Sequence, residues 1–228
     1  MQTGPIGILI LDSRFPRIKG DMGHPETWPF PVRFSTVKDA TPERVVRRTD
    51  TGLIAPFIKA GQELIEQGAV AITTTCGFLS LFQDVLSDAL DVPVITSSLL
   101  QARLVDASLA QDRRVGILTI SAEDLTASHL HNANVPDSVA IGATDPGSHF
   151  NATILGDMTE LDVHAARNDT VGAALYLQKE HPDLGAIVLE CTNMTPYAAD
   201  IAKATNLPVY SIVTLIEWMR AGLAPTRF

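Results

Sequence analysis

Ala69-Val70-Ala71-Ile72-Thr73-Thr74-Thr75-Cys76-Gly77 is the stretch that decides the fold: a short apolar run that ends in hydroxyl side chains, a cysteine and a glycine. The chain repeats the pattern as Ala186-Ile187-Val188-Leu189-Glu190-Cys191-Thr192. Short, near-continuous apolar runs are typical of parallel strands that are buried on both faces. A Pro-Val pair begins 17 residues after each cysteine, at Pro93 and at Pro208. The identical interval indicates a duplicated architecture.

Apolar periodicity predicts the other elements. Residues 6–13 match residues 115–122, and buried strands are predicted at 6–11, 69–73, 92–96, 115–120, 186–189 and 209–213. Apolar residues at three-to-four spacing predict helices at 55–67, 79–90, 99–110, 124–134, 169–181 and 197–205. Ser121 and Asp124 form a capping-box pattern that predicts the start of the helix at 124–134.

The alternation of strands and helices is typical of an α/β fold. We predict two similar doubly wound, flavodoxin-like parallel-sheet domains related by pseudo-two-fold symmetry, with the active site in the cleft between them. The N-terminal domain is placed at 1–98, completed by 210–228, and the C-terminal domain at 99–209.

The composition excludes several classes of partner and site. Seventeen Lys and Arg against 26 Asp and Glu give a net charge of -9, which repels nucleic acid and anionic membrane surfaces. Asp12 and Arg14 interrupt the first apolar run, so neither a signal peptide nor a membrane span is predicted, and we expect a cytoplasmic protein. No metal-ligand spacing occurs. A homodimer or a higher homo-oligomer is expected, since such assemblies are the commonest.

Both cysteines lie just past the carboxyl end of a predicted parallel strand, where open α/β sheets bind ligands. The N–H groups of the following helix are expected to lower the thiol pKa and to hold a substrate carboxylate. A lone cysteine is more often a buried small hydrophobe, and a disulfide is disfavoured in a reducing compartment. Two cysteines at equivalent strand ends therefore favour a pair of acid/base thiols, one acting as base and the other as acid, with no cofactor.

At these residues the chain resembles the cofactor-independent aspartate/glutamate racemase superfamily, which includes glutamate, aspartate and hydantoin racemases and arylmalonate decarboxylase. The resemblance rests on Thr74-Thr75-Cys76-Gly77, on Glu190-Cys191-Thr192-Asn193 and on Asp12-Ser13. It implies that Cys76 and Cys191 are the catalytic thiols and that the substrate is a small carboxylate. We predict that the following residues bind this substrate: Asp12, Ser13, Arg14, His24, Thr75, Gly77, Phe78, Thr119, Ser121, Thr192 and Asn193.

Two features depart from the racemase pattern. Glutamate racemases typically carry Cys-Asn-Thr and Gly-Cys-Thr-His, where this chain has Cys76-Gly77-Phe78 and Glu190-Cys191-Thr192-Asn193. Glu190 is interpreted either as a neighbour of a thiolate or as a solvated residue at a strand end.

The segment 14–34 is rich in Pro, Gly and aromatic residues. It is either a packed surface loop or a lid, in which Arg14, Arg17, Lys19 or Arg33 meets a second carboxylate and His24 is an auxiliary polar group. Its Gly20-Asp21 and His24-Pro25 elements resemble algal dimethylsulfoniopropionate lyases of the same superfamily.

The leading hypothesis for the function is a racemase or epimerase that acts at the α-carbon of an aspartate- or glutamate-like substrate. The first alternative is a lyase or decarboxylase that uses the same cysteines, similar to dimethylsulfoniopropionate lyase or arylmalonate decarboxylase. A lesser alternative is a non-catalytic protein that binds a small ligand.

Overall fold

Two parallel four-stranded sheets form the framework of the computed structural model, which describes residues 4–227. The first sheet has the order β2-β1-β3-β4 and the second has the order β6-β5-β7-β8, so both halves share one topology. The strands are β1 (Ile6–Leu11), β2 (Val32–Val37), β3 (Ala71–Thr74), β4 (Val94–Ile95), β5 (Arg114–Thr119), β6 (Ala140–Ala143), β7 (Leu184–Leu189) and β8 (Val209–Tyr210). The predicted α/β class and the duplication are confirmed.

Eight α-helices cover the faces of the two sheets within the described residues. They are α1 (Ile54–Glu66), α2 (Gln83–Ala89), α3 (Ala102–Ala107), α4 (Ala127–Asn132), α5 (His149–Leu155), α6 (Val163–Glu180), α7 (Ala198–Thr205) and α8 (Ile212–Leu223). Covering both faces is necessary because the central strands β1, β3, β5 and β7 are almost entirely buried. None of these helices is long and apolar enough to span a membrane.

The core joins the two halves of the chain. One continuous apolar cluster contains Leu9 and Ile72 from the first sheet together with Ile117 and Leu189 from the second. The last helix, α8, packs its apolar face on Ile6 and Ile8 of the first sheet. The exact domain boundaries stay a prediction, because the two halves share this one cluster.

The structure adds elements that periodicity did not predict. Strands β2 and β6 and helices α5 and α8 were missed as regular elements. Strands β2 and β6 are edge strands, and only one residue of each is buried. An edge strand that is exposed on one side has no need of the continuous apolar run by which central strands are recognised. The sequence signal was therefore weakest at these two edge strands, whereas the other two, β4 and β8, were predicted.

Several predicted boundaries were wrong in detail; for example, the helix predicted at 99–110 spans Ala102–Ala107, and the strand predicted at 209–213 ends at Tyr210. The helices expected to begin at residue 79 and at residue 124 begin at Gln83 and at Ala127. Ser121 does exchange hydrogen bonds with Asp124, but this pair closes a turn, and the capping box of α4 is formed by Thr126 and His129. Helix α6 begins six residues before its predicted start, at Val163.

The unusual segment that follows β1 is ordered by its own aromatic residues. Met22 and Trp28 are buried against the first sheet, and the Trp28 indole N–H donates to the Met22 carbonyl oxygen at 2.9 Å. Of the segment 14–34, only residues 14–31 belong to the loop between β1 and β2, because residues 32–34 are part of β2. The segment is thus a packed loop along most of its length, while Phe15 near its start faces the candidate site.

Candidate active site

Cys76 and Cys191 occupy equivalent positions in the two sheets. Cys76 lies two residues after β3, and Cys191 lies two residues after β7. Each has an extended backbone and caps a six-residue 3₁₀ helix, Gly77–Phe82 or Thr192–Tyr197. The first of these turns takes up the start of the helix that was predicted at residue 79. The second, which contains Pro196, precedes α7, whose start at Ala198 lies one residue from the predicted start.

The two cysteines line one small cavity between the halves. Its volume is about 20 Å³, which is room for one water molecule. Both thiols are free and buried. The remaining walls are mainly apolar and come from both halves: Leu11, Phe15, Pro42, Val46, Phe78, Ile120, Ile154 and Leu155. The structure therefore brings the predicted thiol pair together in a closed site.

One hydrogen bond between the halves, one within the first half and a ring contact hold this geometry. The Thr192 hydroxyl donates to the Thr75 carbonyl oxygen at 2.8 Å, and the Thr75 hydroxyl accepts from the Leu11 N–H at 3.1 Å. Phe78 packs edge-to-face on His129 of the second half, with ring centroids 5.2 Å apart. The residues next to each thiol are thus anchored by the opposite half.

Glu190 is the unexpected member of the site. Its side chain is fully buried, so the interpretation of a solvated strand-end residue was wrong. Oε2 accepts from the Thr119 hydroxyl at 2.7 Å, whereas Oε1 is buried without a hydrogen-bond partner among the described residues. A Cβ atom at Gly77 would lie 2.2 Å from this Oε1. Two of the departures from the racemase motifs, at 77 and at 190, therefore form one contact, and the other two are at Phe78 and Asn193.

The buried environment changes the expected ionisation of the thiols. Burial, and next the charge of Glu190, raise the pKa of Cys76 to about 12, although N–H groups of Phe78 and Leu79 act in the opposite direction. Burial and Glu190 also raise the pKa of Cys191. The expectation that the helix N-termini lower both thiol pKa values was wrong, since desolvation outweighs the N–H groups.

Burial also raises the pKa of Glu190 to about 7, opposed by the hydrogen bond from Thr119. The folded protein then holds this proton more tightly than the unfolded chain, so the stabilisation is complete below about pH 4.5 and is lost as the pH rises through 7. We expect the free energy of unfolding of the wild type, minus that of Glu190→Gln, to fall by on the order of 3 kcal/mol between pH 4.5 and 8.

Denaturant titrations of both proteins across this range measure the difference. The subtraction removes the opposite contribution of His129, whose burial lowers its pKa to about 4. A difference that stays flat from pH 5 to 8 would show that the carboxyl group of Glu190 titrates normally.

Arg17 supplies the positive charge of the site. Its side chain is 12% exposed, pairs with Asp21 at 3.0 Å and approaches the Thr75 hydroxyl at 3.5 Å. Asp21 in turn accepts from the Asn193 side-chain amide at 2.7 Å, and Asn193 accepts from the Cys191 thiol at 3.8 Å. The segment after β1 thus reaches Cys191 through Asn193, and on the other side it reaches Thr75, the residue before Cys76. The sequence analysis named Arg17 among four cations and Asp21 only as part of the Gly20-Asp21 element, and it did not predict that the two side chains pair, although their spacing of four residues was visible.

Five of the predicted substrate-binding residues line the cavity: Thr75, Gly77, Phe78, Thr192 and Asn193. The apolar walls at Pro42, Val46, Ile154 and Leu155 were missed, because nothing in their local sequence distinguishes them from other core residues.

The structure does not bring the other six to the cavity wall. Asp12 accepts from the Asp39 N–H, and the Ser13 hydroxyl donates to the Leu11 carbonyl. Thr119 acts through Glu190, and Ser121 lines a different cleft. His24 caps the short 3₁₀ helix at Pro25–Thr27.

The sixth, Arg14, points outwards. Its side chain is 71% exposed and pairs with Asp157 of the second half at 3.0 Å. The Asp157 carboxylate also accepts from the backbone N–H groups of Arg14 and Phe15, at 2.5 and 3.3 Å. This contact, which we name the Asp157 latch, fixes Phe15 over the cavity. Arg14 is therefore placed to close the site and is turned away from a bound substrate.

Loosening the Asp157 latch should expose the thiols. Asp157 has a positive φ of 51°, a conformation that glycine adopts without strain. We expect Asp157→Gly to raise the rate of thiol alkylation by iodoacetamide about fivefold, since an exposed ion pair with its hydrogen bonds contributes about 1 kcal/mol. Asp157→Asn keeps the backbone and one acceptor oxygen, so its rate should change less than twofold. Equal rates in the wild type and Asp157→Gly would contradict the latch.

A larger cleft of about 1110 Å³ lies beside the closed cavity on the second half. Ile120 and Leu155 line both spaces, so these two side chains form the wall between them. Within residues 4–227, no group of three or more His, Cys, Asp or Glu side chains is arranged to hold a metal ion.

Comparisons with known proteins give two kinds of match. No protein-family model matches the chain. A dimethylsulfoniopropionate lyase from Durusdinium sp. clade D is 28% identical over 95% of this chain and 74% of its own length. Dimethylsulfoniopropionate lyase 7 from Emiliania huxleyi is 30% identical over 96% of this chain and 67% of its own length.

Solved structures share the fold at lower identity. Unliganded arylmalonate decarboxylase aligns with a TM-score of 0.61 and 16% identity over 98% of this chain and 94% of its own. An aspartate racemase homologue from Pyrococcus horikoshii aligns with a TM-score of 0.60 and 13% identity, over 99% of this chain and 100% of its own. A glutamate racemase isoform from Bacillus anthracis aligns with a TM-score of 0.59 and 15% identity, over 98% of this chain and 84% of its own. These matches confirm the fold that the resemblance implied.

Proposed function

Because the chain belongs to the dimethylsulfoniopropionate lyase family, within the aspartate/glutamate racemase superfamily, we propose that it is a lyase acting on dimethylsulfoniopropionate or a closely similar β-sulfonio carboxylate. The thiolate of Cys76 removes a proton from the α-carbon. The bond between the β-carbon and the sulfonium sulfur then breaks, its electron pair leaves with sulfur, and acrylate and dimethyl sulfide form.

The observation that carries the proposal is the shared cavity of the two buried thiols. Removing an α-proton places negative charge on the carbon next to the carboxylate, so the site needs positive charge or hydrogen-bond donors at that end. Thr75 lines the cavity at this end, and Arg17 approaches its hydroxyl at 3.5 Å. Burial raises the pKa of Cys76, and the charge of Arg17 opposes that rise. The substrate carboxylate is assigned to this polar end.

The substrate also carries a sulfonium group, and the apolar wall of the cavity provides a place for it. Phe15 and Phe78 both line the cavity. Aromatic faces attract alkylated cations that are poorly hydrated, and the apolar neighbours Val46 and Ile154 suit the methyl groups. The walls thus combine a polar end and an apolar end, as a zwitterion with a hydrophobic cation requires. The closed cavity holds about one water molecule, so binding requires these walls to move apart.

Of the two thiols, Cys76 has the surroundings that more strongly favour its thiolate, the form that can act as a base. Two N–H groups and Arg17 favour its thiolate, whereas a single N–H group favours that of Cys191, which Asp21 and Cys76 further disfavour. Dimethyl sulfide leaves as a neutral molecule, so elimination needs a base and no acid for the leaving group. Cys191 is accordingly assigned to positioning the substrate as a neutral thiol.

The sequence relatives favour elimination over the racemase activity that led the sequence analysis, because they are lyases. Racemisation needs both thiols to exchange protons with one carbon, whereas elimination needs one. The lesser alternative of a non-catalytic binding protein gains no support from a family of enzymes. The substrate, the homo-oligomeric state and the cytoplasmic location stay predictions.

The test is to incubate the purified protein with dimethylsulfoniopropionate and to measure dimethyl sulfide in the headspace by gas chromatography and acrylate by absorbance. Parallel incubations of aspartate, glutamate and arylmalonate in deuterated water measure α-deuterium incorporation and carbon dioxide release. Equimolar sulfide and acrylate support the lyase. Deuterium exchange of an amino acid without any sulfide release would overturn it in favour of a racemase.

A further inference from the structure

The buried thiol of Cys76 needs a proton acceptor before it can act as a base. Its cavity admits about one water molecule, and solvent reaches it poorly while Phe15 is held by the Asp157 latch. Creating a thiolate by releasing a proton to bulk water would also add a charge to a buried site, which desolvation opposes. A proton acceptor inside the site avoids both obstacles.

Glu190 has the geometry of such an acceptor. It is fully buried, it lines the same cavity, and it directly precedes Cys191. Its Oε1 lies against Gly77, the residue that directly follows Cys76, where even a methyl group would overlap it at 2.2 Å. This oxygen has no hydrogen-bond donor among the described residues, while Oε2 is held by Thr119 at 2.7 Å.

We propose that Glu190 accepts the thiol proton of Cys76 and so generates the thiolate that attacks the substrate; this inference rests on the proposed lyase function. The proton moves from sulfur to Oε1, the carboxylate becomes a carboxylic acid, and the net charge of the site does not change. The thiolate then takes the α-proton as the carbon–sulfur bond breaks. After acrylate leaves, Glu190 releases its proton to water, which gives the one proton that the elimination produces. Glu190 is thus a positioning residue that acts through Cys76.

The other titratable groups near the site are less suited than Glu190 to accept the thiol proton of Cys76, because each is already paired or lies outside the cavity. From the segment after β1, Arg17 is paired with Asp21, and Asp21 is bonded to Asn193. From α4, His129 lies behind Phe78 and bonds through Nδ1 to the Thr126 N–H. Neither Asp21 nor His129 lines the cavity, whereas Glu190 does.

Proton sharing predicts a distinctive pH profile for Cys76 in the Cys191→Ser background, where iodoacetamide reports on one thiol. When two coupled acids share their protons, the first ionisation creates a mixture of carboxylate and thiolate. We expect the alkylation rate to rise in a step near pH 7, to reach a plateau and to rise again in strong alkali. In Glu190→Gln the step should vanish and leave a single alkaline rise.

The step reports that Glu190 and the thiol share protons, so the same profile with glutamate and with glutamine at position 190 overturns the inference. The lyase assay separates a Glu190 that merely repels the thiolate, because its removal would then leave kcat near pH 7 equal or higher. Thr119→Val removes the hydrogen bond that favours the carboxylate and should move the step upwards by about one pH unit. This variant keeps Glu190 and serves if Glu190→Gln folds poorly; an unmoved step would count against the inference.

The lyase assay adds an independent readout. We expect Glu190→Gln to lower kcat at pH 7 by about 100-fold, to lose the acid limb of the rate profile and to recover partly at high pH. Glu190→Asp should keep the limb. A raised KM with unchanged kcat would make Glu190 a binding partner for the sulfonium group and overturn the inference. Since the alkylation profile needs no turnover, an upward step in a protein without lyase activity refutes the proposed function alone.

Discussion

Cys76→Ser is expected to lower kcat for the release of dimethyl sulfide by at least about 10³-fold, because a serine hydroxyl ionises far less readily than a thiol and general-base catalysis contributes about 10² to 10⁴-fold. Cys191→Ser should retain activity within about tenfold of the wild type, since a hydroxyl can replace a neutral thiol that positions the substrate. The two variants are expected to differ because dimethyl sulfide leaves without a proton, so the reaction needs one thiol as a base and no second thiol as an acid. Headspace gas chromatography under saturating substrate measures both rates.

The two serine variants also separate the competing functions. A racemase would lose racemisation in both variants, because each thiol serves one face of the carbon. Equal loss of elimination in both would contradict the assignment of Cys76 as the base and Cys191 as its neutral partner. Thermal unfolding of both variants is the control, since the buried hydroxyl of either serine must leave the fold intact before the rates are compared.

Gly77→Ala is expected to have the second large effect. The added Cβ would lie 2.2 Å from Oε1 and 2.3 Å from the carbonyl oxygen of Glu190, and the backbone oxygen cannot rotate away. Overpacking of this kind costs about 1–3 kcal/mol, which corresponds to a fall in Tm of roughly 3–10 °C for a chain of this length. Displacing Glu190 should also lower kcat by about 100-fold.

Gly222→Ala is the matched control, because a Cβ there meets no heavy atom within 4 Å. It lies in α8 and should leave activity unchanged and stability equal or higher. Adding Glu190→Gly to Gly77→Ala should recover only part of the lost stability, since the backbone clash remains. An unchanged Tm and kcat in Gly77→Ala would show that the two halves separate here more easily than the contact implies.

The central elements could be predicted because their signals are local. Strands β1, β3, β5 and β7 are short apolar runs buried on both faces, and each thiol follows such a run. Strands β2 and β6 escaped prediction because edge strands keep mixed, partly exposed sequences. Pro42, Val46 and Ile154 were missed for a different reason: their local sequence resembles that of other core residues, and their contact with the cavity depends on how distant segments fold together.

Sequence alone determined the duplicated α/β architecture and the equivalence of Cys76 and Cys191, because strand burial and the turn that follows it are encoded within a few residues. Only the tertiary structure decided the chemistry available to these thiols. The contact of Gly77 with Glu190 and the approach of Arg17 to Thr75 join residues far apart in the chain. The pKa of a buried group depends on which charges surround it and on how much water it loses, and both are set by packing between the halves.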